Sequence, residues 1–219
     1  MGDFIVFDGM SLGELSAFLG AVALFIVVGG IFFKRSNFST KALTYTGLSI
    51  ALAFVLSYFR LFSLLQGGSV TFMSMFFVTI VGFWFGPGVG LVSAFSYGLL
   101  QFAQGAFIVH PIQLLLDYPI AFGALGLSGF FYKMKYGMYI GFVVGLIGRW
   151  IAHTISGVFF FYVWAPEGVL GVNLWPWSAG VNATIIFPEM ALTLVVLAIP
   201  PVRIALEHVR RNILKEVAA

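Results

Sequence analysis

Cysteine is absent from the 219 residues, which excludes disulfides and thiolate chemistry and leaves the compartment open. Charge is scarce: Asp, Glu, Lys and Arg make up 9% of the chain, against roughly 25% in a soluble domain. No GxxxxGKS/T, HExxH or GxSxG occurs, so no phosphate-cradling loop, zinc-protease helix or nucleophile elbow can be assigned. The three histidines, His110, His153 and His208, are too scattered for a three-His metal site. The expectation is a chain with no catalytic residues, no metal, no cofactor and no ATP hydrolysis of its own; active transport would draw on a partner.

What is abundant is apolar. Hydrophobic residues reach 61% and mean hydropathy is +1.05, the composition of an integral membrane protein. Aromatics supply 18%, among them 26 Phe, suited to lipid-facing surfaces, interfacial belts or a ring-lined pocket. The formal charge of +3 and pI near 9.3 do not point to nucleic acid, because the basic residues flank apolar runs and so set orientation in the bilayer.

Apolar runs at about 12–33, 42–62, 72–85, 88–107, 112–132, 137–163 and 180–200 give seven candidate spans. They are divided by a polar link at 36–41, QGGS at 66–69, GPG at 86–88, HP at 110–111, KMKYG at 133–137 and a long loop at 164–178. The first run is preceded by Asp3 and Asp8 and followed by Lys34 and Arg35, the reverse of a signal peptide. It reads as a retained helix running inward, N-terminus outside. Lys41, Lys133, Lys135, Arg203, Arg210, Arg211 and Lys215 then fall on the cytoplasmic side with the C-terminus, and only Arg60 and Arg149 are left over. The run 72–85 is the shortest for a span. The division expected is an added helix and link (1–40), a membrane domain (41–203) and a basic amphipathic tail (204–219), with Ile204, Val209, Ile213 and Val217 among its apolar positions, lying on the membrane surface or a partner.

HPIQLLLDYPIAF at 110–122 is the anomaly, because it sets a carboxylate, Asp117, inside a span. An Asp at helix centre costs roughly 2.5–3.5 kcal/mol on insertion scales and therefore usually faces a polar cavity or a cation. A hydrated position near the helix end, or simple pairing with Arg149, would also accommodate it. Arg149 and His153 stand four apart on one helix face. Counted along the helices at about 1.5 Å per residue, Asp117, His153, Arg149 and Asn182 all fall in the outer half of the membrane. Phe159, Phe160, Phe161, Tyr162, Trp164, Trp175 and Trp177 crowd the same region, either as an interfacial belt or as ring faces for a flat organic cation. Gly47 with Ala51, and Gly141 with Gly145, are small-residue pairs suited to close helix packing, within the chain or against a partner.

These residues resemble a family. LLQGGSVTFMSM (64–75), YGLLQF (97–102), HPIQLLLDYPIAFGALGLSG (110–129), RWIAHTISGVFFF (149–161), APEG (165–168) and WSAGVNAT (177–184) are similar, in order and spacing, to the thiamine-specific substrate-binding (S) components of energy-coupling factor vitamin transporters. The resemblance implies an all-α six-helix membrane bundle, here with one extra N-terminal transmembrane helix. It implies a bacterial plasma-membrane protein that binds thiamine from outside and docks on a transmembrane coupling subunit carrying two cytosolic ATPases. It further implies that Asp117 holds the aminopyrimidine, that His153 and Asn182 are polar ligands with Tyr118 and Arg149 beside them, and that Phe161, Trp177 and Phe107 are ring walls. Gln66, Gly67 and Gly68 would close over the ligand, and Gly47 and Ala51 would meet the coupling subunit.

The chain departs from the pattern in three places. Trp177 stands where Tyr is common, the loop between Trp164 and Trp177 is a few residues longer, and residues 1–40 have no counterpart. An S component for another flat vitamin or precursor, such as hydroxymethylpyrimidine, is the neighbouring reading. An intramembrane enzyme using Asp117, His153 and Arg149 is the distant one, and a purely structural membrane partner a third.

Overall fold

The computed structural model describes residues 38–63, 68–105, 110–160 and 173–218, with the single positions Ser16, Ala23, Val27, Ile31 and Lys34. Those five are helical and exposed; the remainder of the expected N-terminal span lies outside the described residues. The described chain forms helices α1 (Thr40–Leu56), α2 (Ser74–Phe85), α3 (Pro87–Ala103), α4 (Pro111–Phe131), α5 (Gly137–Phe160), α6 (Leu174–Ala198) and α7 (Pro200–Ala218). Strands β1 (Arg60–Ser63) and β2 (Ser69–Thr71) pair antiparallel between α1 and α2. The chain is thus an all-α membrane bundle, in which α4, α5 and α6 are long and apolar enough to cross a bilayer.

Helix starts follow local chemistry. Ser39 caps α1 by accepting from the Ala42 N–H, His110 caps α4 through Nδ1 with Pro111 at the first helical position, and Asn173 caps α6; each satisfies a donor that the helix itself cannot. The short α2 is buried along almost its whole length, including Phe76, Val78, Ile80 and Val81. It lies between α1, α3, α4 and α5, so protein replaces lipid around it.

Glycine allows these central helices to approach one another. A Cβ on Gly90 would stand 2.6 Å from the Gly82 Cα, and one on Gly126 would stand 2.5 Å from the Leu91 Cα. Gly141 and Gly145 lie against Ser128 and Leu125 of α4, so this pair serves packing inside the chain. Gly47 has nothing within 4 Å, and both it and Ala51 are exposed on α1.

Two span boundaries differ most from the expectation. The first core span does not run to residue 62: α1 ends at Leu56 and Arg60–Ser63 turns back as β1, because RLFS pairs with Ser69–Thr71 instead of extending the helix. The last span begins at Leu174, not near 180. Pro176 reads as a loop residue, yet in the first helical turn its missing N–H costs no hydrogen bond.

The helix ends sort into two groups. At one end, α7 crosses the bundle: Arg210 donates to the Tyr132 carbonyl at 2.7 Å and lies 4.2 Å over the Phe83 ring, while Lys41 and Tyr45 of α1 bond to Glu216. Ile213 is buried and Val202 and Leu206 pack on the core, whereas Ile204 and Val209 face outward. The tail helix therefore begins at Pro200 and packs part of its apolar surface on its own bundle, leaving Ile204 and Val209 exposed. At the other end, His110 stacks on Phe160 and Gln104 bonds to Ser57.

Candidate functional site

At the end opposite α7, the bundle encloses a cavity of about 330 Å³, near the lower limit of the roughly 300–1,000 Å³ usual for small-molecule sites. Its floor is built on an irregularity in α4. Pro119 has no N–H to give, and the helix widens to a π-type turn over Leu116–Ile120 before tightening to 3-10 winding from Ala124; such bulges recur at functional sites. Gly98 of α3 accommodates the turn, since a Cβ there would stand 2.7 Å from the Tyr118 carbonyl oxygen. The widened turn carries Asp117 into the cavity.

Asp117 closes a polar chain. Its Oδ2 accepts from Gln113 Nε2 at 2.6 Å, and its Oδ1 lies 2.9 Å from His153 Nδ1. Arg149 Nε donates to His153 Nε2 at 3.2 Å. A guanidinium only donates, so Nε2 must offer its lone pair, and the ring proton sits on Nδ1 pointing at Asp117. The bonding pattern assigns a neutral imidazole between a carboxylate and a guanidinium. Arg149 completes its surroundings with Met75 Sδ at 2.6 Å and the Phe122 ring face at 4.2 Å, a cation–π contact.

A second carboxylate stands close by. Glu189 of α6, fully buried, accepts from the Thr71 N–H at 3.1 Å, Thr71 Oγ1 at 2.6 Å and the Met75 N–H at 3.0 Å. Ser74 Oγ lies 2.6 Å from Thr71 Oγ1 and 3.4 Å from Glu189 Oε1. The turn held this way contains Met73, whose φ of 59° is left-handed and costs about 1–2 kcal/mol in a residue with a Cβ. Among the described residues the buried ionisable side chains are Asp117, Glu189 and Arg149, of which Asp117 and Arg149 line the cavity and Glu189 does not.

Of the residues singled out in the sequence, Asp117, Tyr118, Arg149, His153, Trp177, Asn182 and Gly68 line this one cavity. Asn182 stands well inside α6, its Nδ2 donating to the His153 and Ser178 carbonyls at 3.2 and 3.0 Å. Gly47 and Ala51 face away on α1. Phe107, Phe161, Gln66 and Gly67 lie outside the described residues. Arg149 meets Asp117 through His153, not directly.

The sequence reading missed Glu189, although the argument that singled out Asp117, a carboxylate in an apolar run, applies equally to FPEM at 187–190. It also missed the amide and hydroxyl wall of Gln101, Gln104, Gln113, Tyr97 and Ser57, and Arg60 at the rim. Gln101 of α3 and Gln104, the residue that caps its C-terminus, are three apart and both reach Ser57 at the end of α1, a pairing that helical spacing hints at but the neighbouring helix completes.

Comparison with known proteins agrees with this architecture. The family described as Thiamine transporter protein (Thia_YuaJ) matches residues 43–207. The chain is 37% identical over 151 residues to thiamine transporter ThiT of Bacillus subtilis (strain 168), covering 63% of this chain and 77% of that protein. It is 31% identical over 131 residues to thiamine transporter ThiT of Lacticaseibacillus paracasei, covering 50% of this chain and 64% of the relative. The solved structure of ThiT from Listeria monocytogenes superposes with a TM-score of 0.61 at 21% identity, over 73% of this chain and 94% of the other, a likeness of fold.

Proposed function

The chain belongs to the thiamine transporter protein family, and from that premise we propose that it is the thiamine-binding and translocating subunit of an energy-coupling factor importer in the bacterial plasma membrane. The family is one of transporters, not enzymes. The observation that carries the ligand assignment is Asp117, a carboxylate lining the cavity beside His153, with the Tyr118 and Trp177 rings in the same wall. A carboxylate inside an apolar span is favoured where a cation or an N–H donor can meet it, and thiamine brings a flat aminopyrimidine and a cationic thiazolium.

Asp117 keeps lone pairs beyond those used by Gln113 and His153 and accepts from the aminopyrimidine. Asn182, with Nδ2 committed to two carbonyls, offers Oδ1. Trp177 and Tyr118, both half-buried at the cavity wall, supply ring faces, with Phe161 and Phe107 in the same role and Gln66, Gly67 and Gly68 covering the ligand. Arg149 orients His153. The sequence has no phosphate-cradling loop, so ATP-driven uptake would come from a transmembrane coupling subunit with two cytosolic ATPases, met by the exposed Gly47 and Ala51. The N-terminus lies outside, the C-terminus in the cytoplasm, and residues 1–40 are an added segment beside the membrane domain.

Titration of the detergent-purified chain with thiamine, followed by tryptophan fluorescence with hydroxymethylpyrimidine and riboflavin as comparators, tests the reading. Saturable quenching by thiamine, lost in Asp117→Ala, is the expected result. A response to riboflavin alone would change the substrate, and silence to all three would reject the binding role.

A further inference from the structure

Glu189 is not in the cavity wall, yet it is the most heavily bonded carboxylate among the described residues. Its three short bonds all come from one five-residue stretch, Thr71 to Met75, and Ser74 supports Thr71 from behind. That stretch joins β2 to α2 through the left-handed Met73. Its far residue, Met75, has the N–H fixed by Glu189 and the sulfur against Arg149 Nη1. Arg149 in turn donates to His153, which faces Asp117. A continuous line of contacts therefore runs from α6 through α2 to α5 and ends on the α4 carboxylate.

We infer that Glu189 is a positioning residue for the ligand site: by anchoring Met75 it seats Arg149 on His153 and so fixes the histidine tautomer that Asp117 receives. This rests on the reading of the cavity as the thiamine site. All of the groups that meet the Glu189 carboxylate are donors, so a carboxamide of the same size turns its NH₂ against at least one of them. The anchor loosens without loss of volume. A residue that merely held the fold together would lower stability and weaken binding independently of Arg149; a residue acting through Arg149 would not.

The experiment is a double-mutant cycle on the full-length purified chain, read as the thiamine dissociation constant, with wild type and Asp117→Asn alongside. Glu189→Gln is expected to weaken binding about tenfold or more in the wild-type background and less than about threefold in Arg149→Lys, which already lacks the Nε–H donor to His153. Wild-type affinity in Glu189→Gln, or a loss that is the same in both backgrounds, overturns the inference. If Glu189→Gln does not fold, Met75→Leu decides: it keeps the volume and removes the sulfur, and weaker binding that vanishes in Arg149→Lys supports the line of contacts, whereas unchanged or additive affinity rejects it. Undiminished binding by Asp117→Asn would reject the site itself; loss in Asp117→Asn with none in Glu189→Gln would reject only the role of Glu189.

Discussion

Asp117 and His153, 36 residues apart in the chain, meet with Oδ1 and Nδ1 at 2.9 Å, and the second ring nitrogen of His153 is taken by Arg149. The histidine is thereby held as a donor toward the carboxylate. Asp117→Asn puts an NH₂ on one of two oxygens that now accept from Gln113 and His153, and removes the charge that answers the ligand. A charge-assisted hydrogen bond contributes about 1.5–3 kcal/mol, so thiamine affinity should fall roughly tenfold to 150-fold by fluorescence titration.

Gly98 bears on the same carboxylate from behind. A methyl group there would press on the Tyr118 carbonyl, which belongs to the widened turn carrying Asp117. Overpacking of this kind costs about 1–3 kcal/mol. Gly98→Ala should lower the thermal midpoint of the ligand-free protein and also weaken thiamine binding; a lowered midpoint with unchanged affinity would show that the turn absorbs the shift without moving Asp117.

Arg210 acts at the other end. Its bond to the Tyr132 carbonyl and its place over Phe83 hold α7 to the bundle. Arg210→Ala should destabilise the chain by about 1–3 kcal/mol, seen as a lower melting temperature, and should leave the thiamine dissociation constant within about twofold of wild type, because additivity holds for sites this far apart.

Gly47 separates binding from transport. Nothing stands within 4 Å of a Cβ at this position, so Gly47→Leu should leave folding and thiamine titration unchanged. If the face it shares with Ala51 receives the coupling subunit, radiolabelled thiamine uptake by cells carrying the complete importer should fall sharply; normal uptake would move the partner contact elsewhere.

The sequence by itself determined the membrane class, the order of the helices and the candidacy of Asp117, Arg149 and His153. A bilayer tolerates few charges, so each exception is conspicuous, and helical spacing alone puts Arg149 and His153 on one face. Boundaries set by competition were less legible: RLFS at 60–63 follows an apolar helical run without a break in pattern, and pairing with Ser69–Thr71 turns it into a strand. What the tertiary structure decided is which groups meet. Glu189 has the same sequence signature as Asp117, yet one ends beneath the Thr71–Met75 turn with every oxygen committed, and the other ends in the cavity. The tail is basic and amphipathic by composition, but only the structure shows that Ile213 is buried in the bundle core and Arg210 lies over Phe83, while Ile204 and Val209 stay exposed. Both outcomes depend on contacts between residues far apart in the chain, which local pattern cannot encode and close packing fixes.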